Sequence, residues 1–303
     1  MHVISKPENP LYKRMAGFYS GAPFRFFLFL QGVIMSFSST LLRAFALAGA
    51  LTLSGTALAQ EAGETITIAA TPVPHAEILN FIKPELAKQG VNLVVREFTD
   101  YVQPAMQTNE RNVDGNFFQH EPYLIEFKRE HKEDRQKIVA KIHIEPFGAY
   151  SAHHKVAADI PDGATIAIPN DPSNSGRALL LLASQQLIKL QPLASDVSAT
   201  QRDILENPKK FKFREIEAAM LPRVLPEVDL ALINTNYAIG AKLNPLKDAL
   251  FIEDANSPYT NILVARTDNA NSPAMQKLAA ALQTDAVRKF ILEKYQGAVV
   301  PTF

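Results

Sequence analysis

The chain has 303 residues, of which 47% are hydrophobic and 20% charged, as expected for a soluble globular protein. Its 31 basic and 31 acidic side chains balance, which argues against a nucleic-acid-binding protein because such proteins need a basic surface. There is no cysteine, so disulfides, thiolate metal sites and cysteine nucleophiles are excluded.

The segment 35–59 has the pattern of a secretory signal peptide. An apolar run from Ala44 to Leu53 follows Arg43, and it leads to Ala57-Leu58-Ala59, a small-x-small cleavage site. The run is too short for a comfortable membrane span. We therefore expect cleavage before Gln60 and secretion into the periplasm.

Residues 1–34 form an upstream extension, in which Phe24 to Ile34 is apolar enough to leave a membrane anchor as an alternative. Without residues 1–59 the chain keeps 26 basic and 30 acidic side chains, and this mild acidity again argues against a nucleic-acid partner. Because a lipid anchor would need a cysteine at the mature N-terminus, we expect a freely soluble periplasmic protein with no lipid anchor.

From Glu64 onward, predicted strands and helices alternate. In chain order they are a strand over 64–70, a helix over 76–88, a strand over 91–98, a helix from Thr99 and a brief strand over 113–118. This β-α-β-α-β order indicates a parallel α/β sheet. A charged amphipathic helix over 124–133 follows, and its charged face is most simply a solvated surface.

The β-α pattern then occurs a second time. The predicted elements are β-rich pieces over 138–150, strands over 164–168, 211–217, 228–233 and 261–266, and helices over 177–188, 221–225, from 234 and over 272–293. Two α/β lobes with a cleft between them is the architecture that this repetition favours. Small ligands bind beyond the carboxyl ends of such strands, and often between domains.

The stretch from Ala164 to Leu182 predicts a strand, a polar loop and a helix. Three side chains are candidate N-caps of this helix: Ser173, Asn174 and Ser175. A helix start attracts anions, and Arg177 offers a planar fork of donors that suits a carboxylate. The alternative is an ordinary N-cap followed by a surface arginine.

Six segments carry motifs in a fixed order. They are Phe98-Thr-Asp-Tyr-Val-Gln-Pro104, Asp114-Gly-Asn-Phe-Phe-Gln-His-Glu-Pro-Tyr-Leu124, Pro169-Asn-Asp-Pro-Ser-Asn-Ser-Gly-Arg-Ala-Leu-Leu-Leu-Leu182, Leu221-Pro-Arg-Val-Leu225, Ile233-Asn-Thr-Asn-Tyr-Ala238 and Ser257-Pro-Tyr-Thr-Asn261. Together they resemble the methionine-binding lipoprotein (NlpA-type) family of ABC-importer receptors, from about Thr65 to the C-terminus.

The resemblance implies a two-lobed type II periplasmic-binding-protein fold that closes on free methionine in a cleft between the lobes. The ligand-binding positions that it implies are Tyr101, Phe118, His120, Tyr123, Asn174, Arg177, Asn234 and Asn261. The aromatic residues and the histidine would line the pocket for the thioether. The arginine, helped by the first asparagine, would meet the carboxylate, and the other two asparagines would hold the head group.

The resemblance also divides the chain and names its partners. Lobe 1 would take residues 60–147 and the return segment 251–303, and lobe 2 would take residues 148–250. We expect a monomeric substrate-binding protein that delivers L-methionine, or else D-methionine, to a cognate ABC permease and its ATPase. No cofactor and no metal are expected. Val73 departs from the family, in which many members have glycine there.

The residues alone leave alternatives open. The aromatic residues could be ordinary core packing, His120 a core histidine, and Asn234 and Asn261 loop caps. The main functional alternative is a receptor of the same fold for another amino acid, a short peptide or a small organic anion. A secreted hydrolase is less favoured, because His-Glu-x-x-His and Gly-x-Ser-x-Gly are absent. The histidines are scattered along the sequence, which argues against zinc. We therefore expect no enzymatic activity.

Overall fold

The computed structural model describes residues 63–132, 135–193, 199–254 and 256–303. The predicted signal peptide, the upstream extension and its possible anchor lie outside these residues. Within them, no helix combines the length and the apolar character that a membrane crossing requires.

The described residues contain thirteen strands and nine α-helices. The strands are β1 (Glu64–Ala70), β2 (Val91–Glu97), β3 (Gly115–His120), β4 (Gln136–Ile144), β5 (Gly148–Tyr150), β6 (Thr165–Pro169), β7 (Lys189–Leu190), β8 (Ile204–Glu206), β9 (Lys212–Ile216), β10 (Leu230–Ile233), β11 (Ala249–Ile252), β12 (Thr260–Arg266) and β13 (Val300–Pro301). The helices are α1 (Glu77–Lys88), α2 (Val102–Asn109), α3 (Glu121–His131), α4 (Pro172–Ser184), α5 (Leu221–Val224), α6 (Thr235–Gly240), α7 (Pro245–Asp248), α8 (Pro273–Leu282) and α9 (Asp285–Tyr295).

Two larger sheets organise these elements. The first has the strand order β13-β4-β12-β3-β1-β2, and the second has the order β11-β5-β10-β6-β9. In the first, β1 is parallel to β2 and β3, but β12 is antiparallel to both β3 and β4. In the second, β6 is parallel to β9 and β10, but β5 is antiparallel to β10 and β11. Both sheets are therefore mixed, whereas the sequence predicted a parallel sheet, because β12 in the first sheet and β5 in the second run opposite to their neighbours.

The chain passes twice between the two sheets. Residues 145–147 connect β4 to β5, and residues 253–259 connect β11 back to β12. We refer to these two segments as the crossing connections. The two sheets are the cores of two lobes, which agrees with the predicted architecture. The residue limits predicted for the lobes, 60–147, 148–250 and 251–303, stay a prediction.

Each lobe buries the apolar face that its pattern predicts. In the first lobe, α1 turns one stripe inward, formed by Ile78, Leu79, Ile82 and Leu86, and packs it against the strands together with α8 and α9. Burial of each such side chain stabilises the fold by about 1.5–3 kcal/mol. In the second lobe, all four residues of β10 are buried, as expected for a strand covered on both faces.

Three predicted helices differ from the observed ones, and in each case a capping side chain is the reason. Helix α3 begins at Glu121 rather than at residue 124, because the His120 side chain accepts a hydrogen bond at its start. Helix α4 is capped by Asp171, not by any of the three predicted residues. The long helix predicted over 272–293 is two helices, because Thr284 caps the second one.

Candidate functional site

The eight residues predicted to bind a ligand surround one cavity between the lobes. The cavity is small, with a volume of about 20 Å³. Its lining also includes three residues that the sequence did not single out: Gln119, Glu145 and Thr235. Gln119 and Thr235 stand inside motifs quoted for the resemblance, so their positions were marked although their role was not. Glu145 stands in none of the six segments.

A β-bulge brings consecutive residues of β3 into this cavity. On β12, Asn261 pairs with His120 and Leu263 pairs with Phe117, so β3 has one extra residue between these two pairs. A bulge of this kind re-aims side chains and is frequent beside functional sites. It explains why Phe118 and its two successors all line the cavity, although neighbouring residues of a regular strand point to opposite faces.

Three aromatic rings form one wall of the cavity. The ring centroids of Tyr101 and Phe118 lie 5.9 Å apart, and those of Phe118 and Tyr123 lie 5.6 Å apart in an edge-on arrangement. The Tyr123 hydroxyl donates to the backbone oxygen of Tyr101 at 3.1 Å, which restrains the Tyr123 ring. This wall is apolar and polarizable, so it suits a thioether or another apolar side chain.

His120 connects the two lobes as a neutral ring. Its Nδ1 accepts a hydrogen bond from the backbone N–H of Tyr123 at 3.1 Å, so the ring proton is on Nε2, which donates to Asn174 Oδ1 at 3.0 Å. Burial, and then the charge on Arg177, lower the pKa of His120 to about 3. The histidine is therefore uncharged at neutral pH, and it packs edge-on against Tyr259 as well.

Asn174 has no hydrogen-bonding capacity left over. Its Oδ1 also accepts from Asn234 Nδ2 at 2.9 Å, and its own Nδ2 donates to both carboxylate oxygens of Asp171, at 3.0 and 3.1 Å. A direct contact from Asn174 to a ligand stays a prediction. In this structure Asn174 is a connector that fixes His120 and Asn234.

Two buried acceptors in the cavity lining have no hydrogen-bond partner among the described residues. They are Asn234 Oδ1 and Gln119 Oε1. The Gln119 amide is held in place, because its Nε2 donates to Asn116 Oδ1 at 2.7 Å. A buried acceptor without a donor costs about 1–3 kcal/mol. The cavity is therefore suited to a molecule that brings N–H or O–H donors to these two oxygens.

The start of α4 is already occupied by an anion of the chain itself. The Asp171 carboxylate accepts from the backbone N–H of Asn174 at 2.9 Å and from the Ser173 hydroxyl at 3.1 Å. The predicted attraction of this helix start for an anion is thus satisfied internally. Arg177 lies farther along, in the second turn of the helix.

Arg177 is buried at 2% exposure, so the alternative of a surface arginine is wrong. Its Nε donates to Glu253 Oε1 at 3.1 Å, and its Nη2 makes a short contact with Glu253 Oε2. The same Nη2 donates to the Glu145 backbone oxygen at 2.9 Å. No described hydrogen bond uses Nη1, which leaves that nitrogen for the cavity.

A polar cluster of His75, His143 and Glu145 lies beside the cavity. One ligand-type atom from each residue falls within 4.8 Å of the others, a spacing that could hold a metal ion. The histidines are scattered along the sequence, which argued against a metal site, but the fold brings these two together. Hydrogen bonds already account for the cluster, because His143 Nε2 donates to Glu145 at 2.8 Å and His75 Nε2 donates to Asn261 Oδ1 at 3.0 Å. Burial lowers the pKa of His75 to about 4 and that of His143 to about 3.

Comparison with known proteins gives consistent matches over the same part of the chain. The family model described as NlpA lipoprotein matches residues 66–303. The methionine-binding lipoprotein MetQ of Bacillus subtilis (strain 168) is 38% identical over 258 residues, which cover 84% of this chain and 94% of that relative.

Two solved structures support the same relationship. The first is a nutrient binding protein from Burkholderia cenocepacia bound to methionine, with a TM-score of 0.76, 41% identity, and coverage of 78% of this chain and 100% of that one. The second is an ABC transporter periplasmic substrate-binding protein from Coxiella burnetii, with a TM-score of 0.74, 37% identity, and coverage of 78% and 100%. They confirm the predicted two-lobed binding-protein fold.

These names contradict one expectation. The family and the Bacillus subtilis relative are named lipoproteins, so the expectation of a freely soluble protein with no lipid anchor is wrong. That expectation rested only on the absence of cysteine from the 303 residues.

Proposed function

Because the chain belongs to the NlpA lipoprotein family, we propose that it is the substrate-binding receptor of an ABC importer and that its ligand is free methionine. It captures the ligand without chemistry, and a permease with its ATPase receives the ligand from it. The names of the Bacillus subtilis and Coxiella burnetii proteins support this proposal.

The unpaired hydrogen-bonding atoms around the cavity carry the proposal. Two acceptors, Asn234 Oδ1 and Gln119 Oε1, lack donors among the described residues. Two donors, Arg177 Nη1 and Asn261 Nδ2, take part in no described hydrogen bond, and both residues line the cavity. A zwitterionic amino acid presents an ammonium group with three donors and a carboxylate with several acceptor sites. The cavity therefore complements an amino-acid head group.

The remaining wall selects the ligand side chain. Tyr101, Phe118 and Tyr123 offer ring faces and edges at centroid separations of about 6 Å from one another, and sulfur–aromatic contacts contribute about 0.3–1.5 kcal/mol each. Because both charged groups of the ligand are to be held inside the cavity, a free amino acid fits better than an internal residue of a peptide. All eight predicted positions are proposed as the ligand site, with Asn174 acting through its neighbours.

Ligand contacts from both lobes would favour the closed arrangement of the receptor. The aromatic wall and His120 belong to the first lobe, and Asn174, Arg177 and Asn234 belong to the second. A ligand that touches both sets stabilises the arrangement in which they face each other. A permease would recognise this closed, ligand-bound form of the receptor.

Isothermal titration calorimetry on protein that has been unfolded and refolded tests this function. The ligands are L- and D-methionine, the other amino acids, methionine dipeptides and Zn²⁺. We expect L-methionine to bind most tightly, and Arg177→Ala to weaken it by about 30- to 900-fold, which corresponds to 2–4 kcal/mol for an unpaired buried carboxylate. The exposed Arg202→Ala is the matched control. Tighter binding of another small molecule would contradict methionine as the ligand. Binding of none of these ligands would contradict the proposal that the protein is a receptor.

A further inference from the structure

We propose that Glu253 is a positioning residue, which aims the Arg177 guanidinium at the carboxylate of the ligand. The proposal rests on the function proposed above, in which Arg177 meets that carboxylate. It adds a residue outside the cavity lining and outside the eight predicted positions.

Glu253 fixes one edge of the guanidinium. The two carboxylate oxygens face Nε, at 3.1 Å, and Nη2, so the pair has the two-pronged geometry that sets the plane of an arginine. Nη2 is restrained further by its bond to the Glu145 backbone oxygen at 2.9 Å. With this edge fixed, Nη1 is the nitrogen that is left to point elsewhere.

Two aromatic rings restrain the faces of the same guanidinium. Its central carbon lies 4.2 Å from the ring centroid of Tyr259 and 5.1 Å from that of Phe147. Such contacts stabilise a buried cation and oppose rotation about the long side chain. The guanidinium is thus held on its faces and on one edge. Nη1 takes part in no described hydrogen bond, and Arg177 lines the cavity.

Glu253 is itself held by the other crossing connection. Its backbone N–H donates to the Phe147 oxygen at 2.8 Å, and its Oε2 accepts from the Phe147 N–H at 3.4 Å. Glu253 and Tyr259 belong to one crossing connection, and Phe147 belongs to the other. The direction of Arg177 is therefore set where the chain passes between the lobes.

The charge of Glu253 matters as much as its shape. A guanidinium at 2% exposure needs a counter-charge, because burying an unpaired cation is costly. The Glu253 side chain, at 16% exposure, supplies this charge. Arg177 is then already desolvated and oriented before a ligand carboxylate arrives, which lowers the cost of binding.

The test compares two ligands that differ only at the carboxylate. Calorimetry measures the dissociation constants of L-methionine and of L-methioninamide, whose carboxylate is replaced by a neutral amide, for the wild type, Glu253→Ala and Glu253→Gln. We expect Glu253→Ala to weaken L-methionine by about tenfold or more and the amide by less than about threefold. Glu253→Gln keeps the shape and one acceptor, so its loss for L-methionine should be smaller. Glu206→Gln is the matched control, because Glu206 is an exposed glutamate that also forms an ion pair, with Lys189.

Equal weakening of both ligands by Glu253→Ala would indicate general damage to the site and would overturn the positioning role, as would unchanged affinity for L-methionine. If Glu253→Ala does not fold, Glu253→Gln decides by the same comparison. If the wild type binds no amino acid, the proposed function fails. In that case a crystal structure of Glu253→Gln with the Arg177 guanidinium unmoved would overturn the positioning role separately.

Discussion

The hydroxyl group of Tyr101 is expected to hold the two lobes together in the ligand-bound receptor. Tyr101 lies at the start of α2 in the first lobe, and its hydroxyl donates to Asn236 Oδ1, on α6 of the second lobe, at 2.6 Å. Tyr101→Phe removes this hydrogen bond but keeps the ring that packs beside Phe118. The substitution therefore separates the contact between the lobes from the aromatic wall.

The size of the effect follows from the burial of the acceptor. Asn236 is 4% exposed, so its oxygen would be left without a donor when the lobes are closed. An unsatisfied buried acceptor costs about 1–3 kcal/mol. In an open receptor both groups would be hydrated, so the whole cost falls on the closed form. We expect the dissociation constant for methionine to rise about 5- to 150-fold.

Tyr237→Phe is the matched control. Its hydroxyl also bridges the lobes, to the Thr99 backbone oxygen at 3.1 Å, but Thr99 is exposed and water can replace the lost donor. Calorimetry gives the affinities, and stopped-flow fluorescence gives the dissociation rates. We expect faster dissociation for Tyr101→Phe than for Tyr237→Phe. A Tyr101→Phe protein with a lower melting temperature and an unchanged affinity would refute the reasoning.

Two further predictions concern stability. Burial lowers the pKa of His143 to about 3, against an ordinary value of 6.5, so the unfolded chain binds more protons between these values and the free energy of unfolding falls as the pH drops below 6.5. His143→Gln should therefore reduce the loss of stability between pH 7.5 and 5.5, measured by urea titration, by roughly 1 kcal/mol. An unchanged pH effect would contradict this. A Cβ on Gly176 would lie 2.9 Å from the backbone nitrogen and oxygen of Ala199, so Gly176→Ala should destabilise the fold by about 1–3 kcal/mol. At Gly240 the space is open, so Gly240→Ala should show no such loss of melting temperature.

Local sequence patterns predicted most elements of the fold. The alternation of Thr and Ile predicted β1 at its observed limits, Glu64–Ala70. The limits that were wrong depend on side chains whose role shows only in three dimensions. Asp171 caps α4 directly before Pro172, whereas the predicted caps were three later residues. Thr284 divides the last helix without any glycine or proline to mark the break.

Part of the candidate site could likewise be predicted from the sequence, and part could not. The resemblance predicted eight ligand-binding residues, and the structure places all eight around one cavity. A sequence motif can predict such a group because its residues must lie close together to function. The supporting contacts lie outside such motifs. His75 and Asn261 are 186 residues apart in the chain, and Arg177 and Glu253 are 76 apart. No periodicity or spacing connects such pairs, since the fold alone brings them into contact.

The neutral state of His120 preserves a chain of hydrogen bonds that links the two lobes and ends at the cavity. His120 donates to Asn174, Asn174 accepts from Asn234 as well, and the free oxygen of Asn234 lines the cavity. A second proton on His120 would lie on Nδ1, which already accepts the N–H of Tyr123. Protonation would thus break the start of α3 and place a second cation near Arg177. Burial and the Arg177 charge, which lower the pKa of His120, therefore preserve both the lobe contact and the acceptor that a ligand ammonium needs.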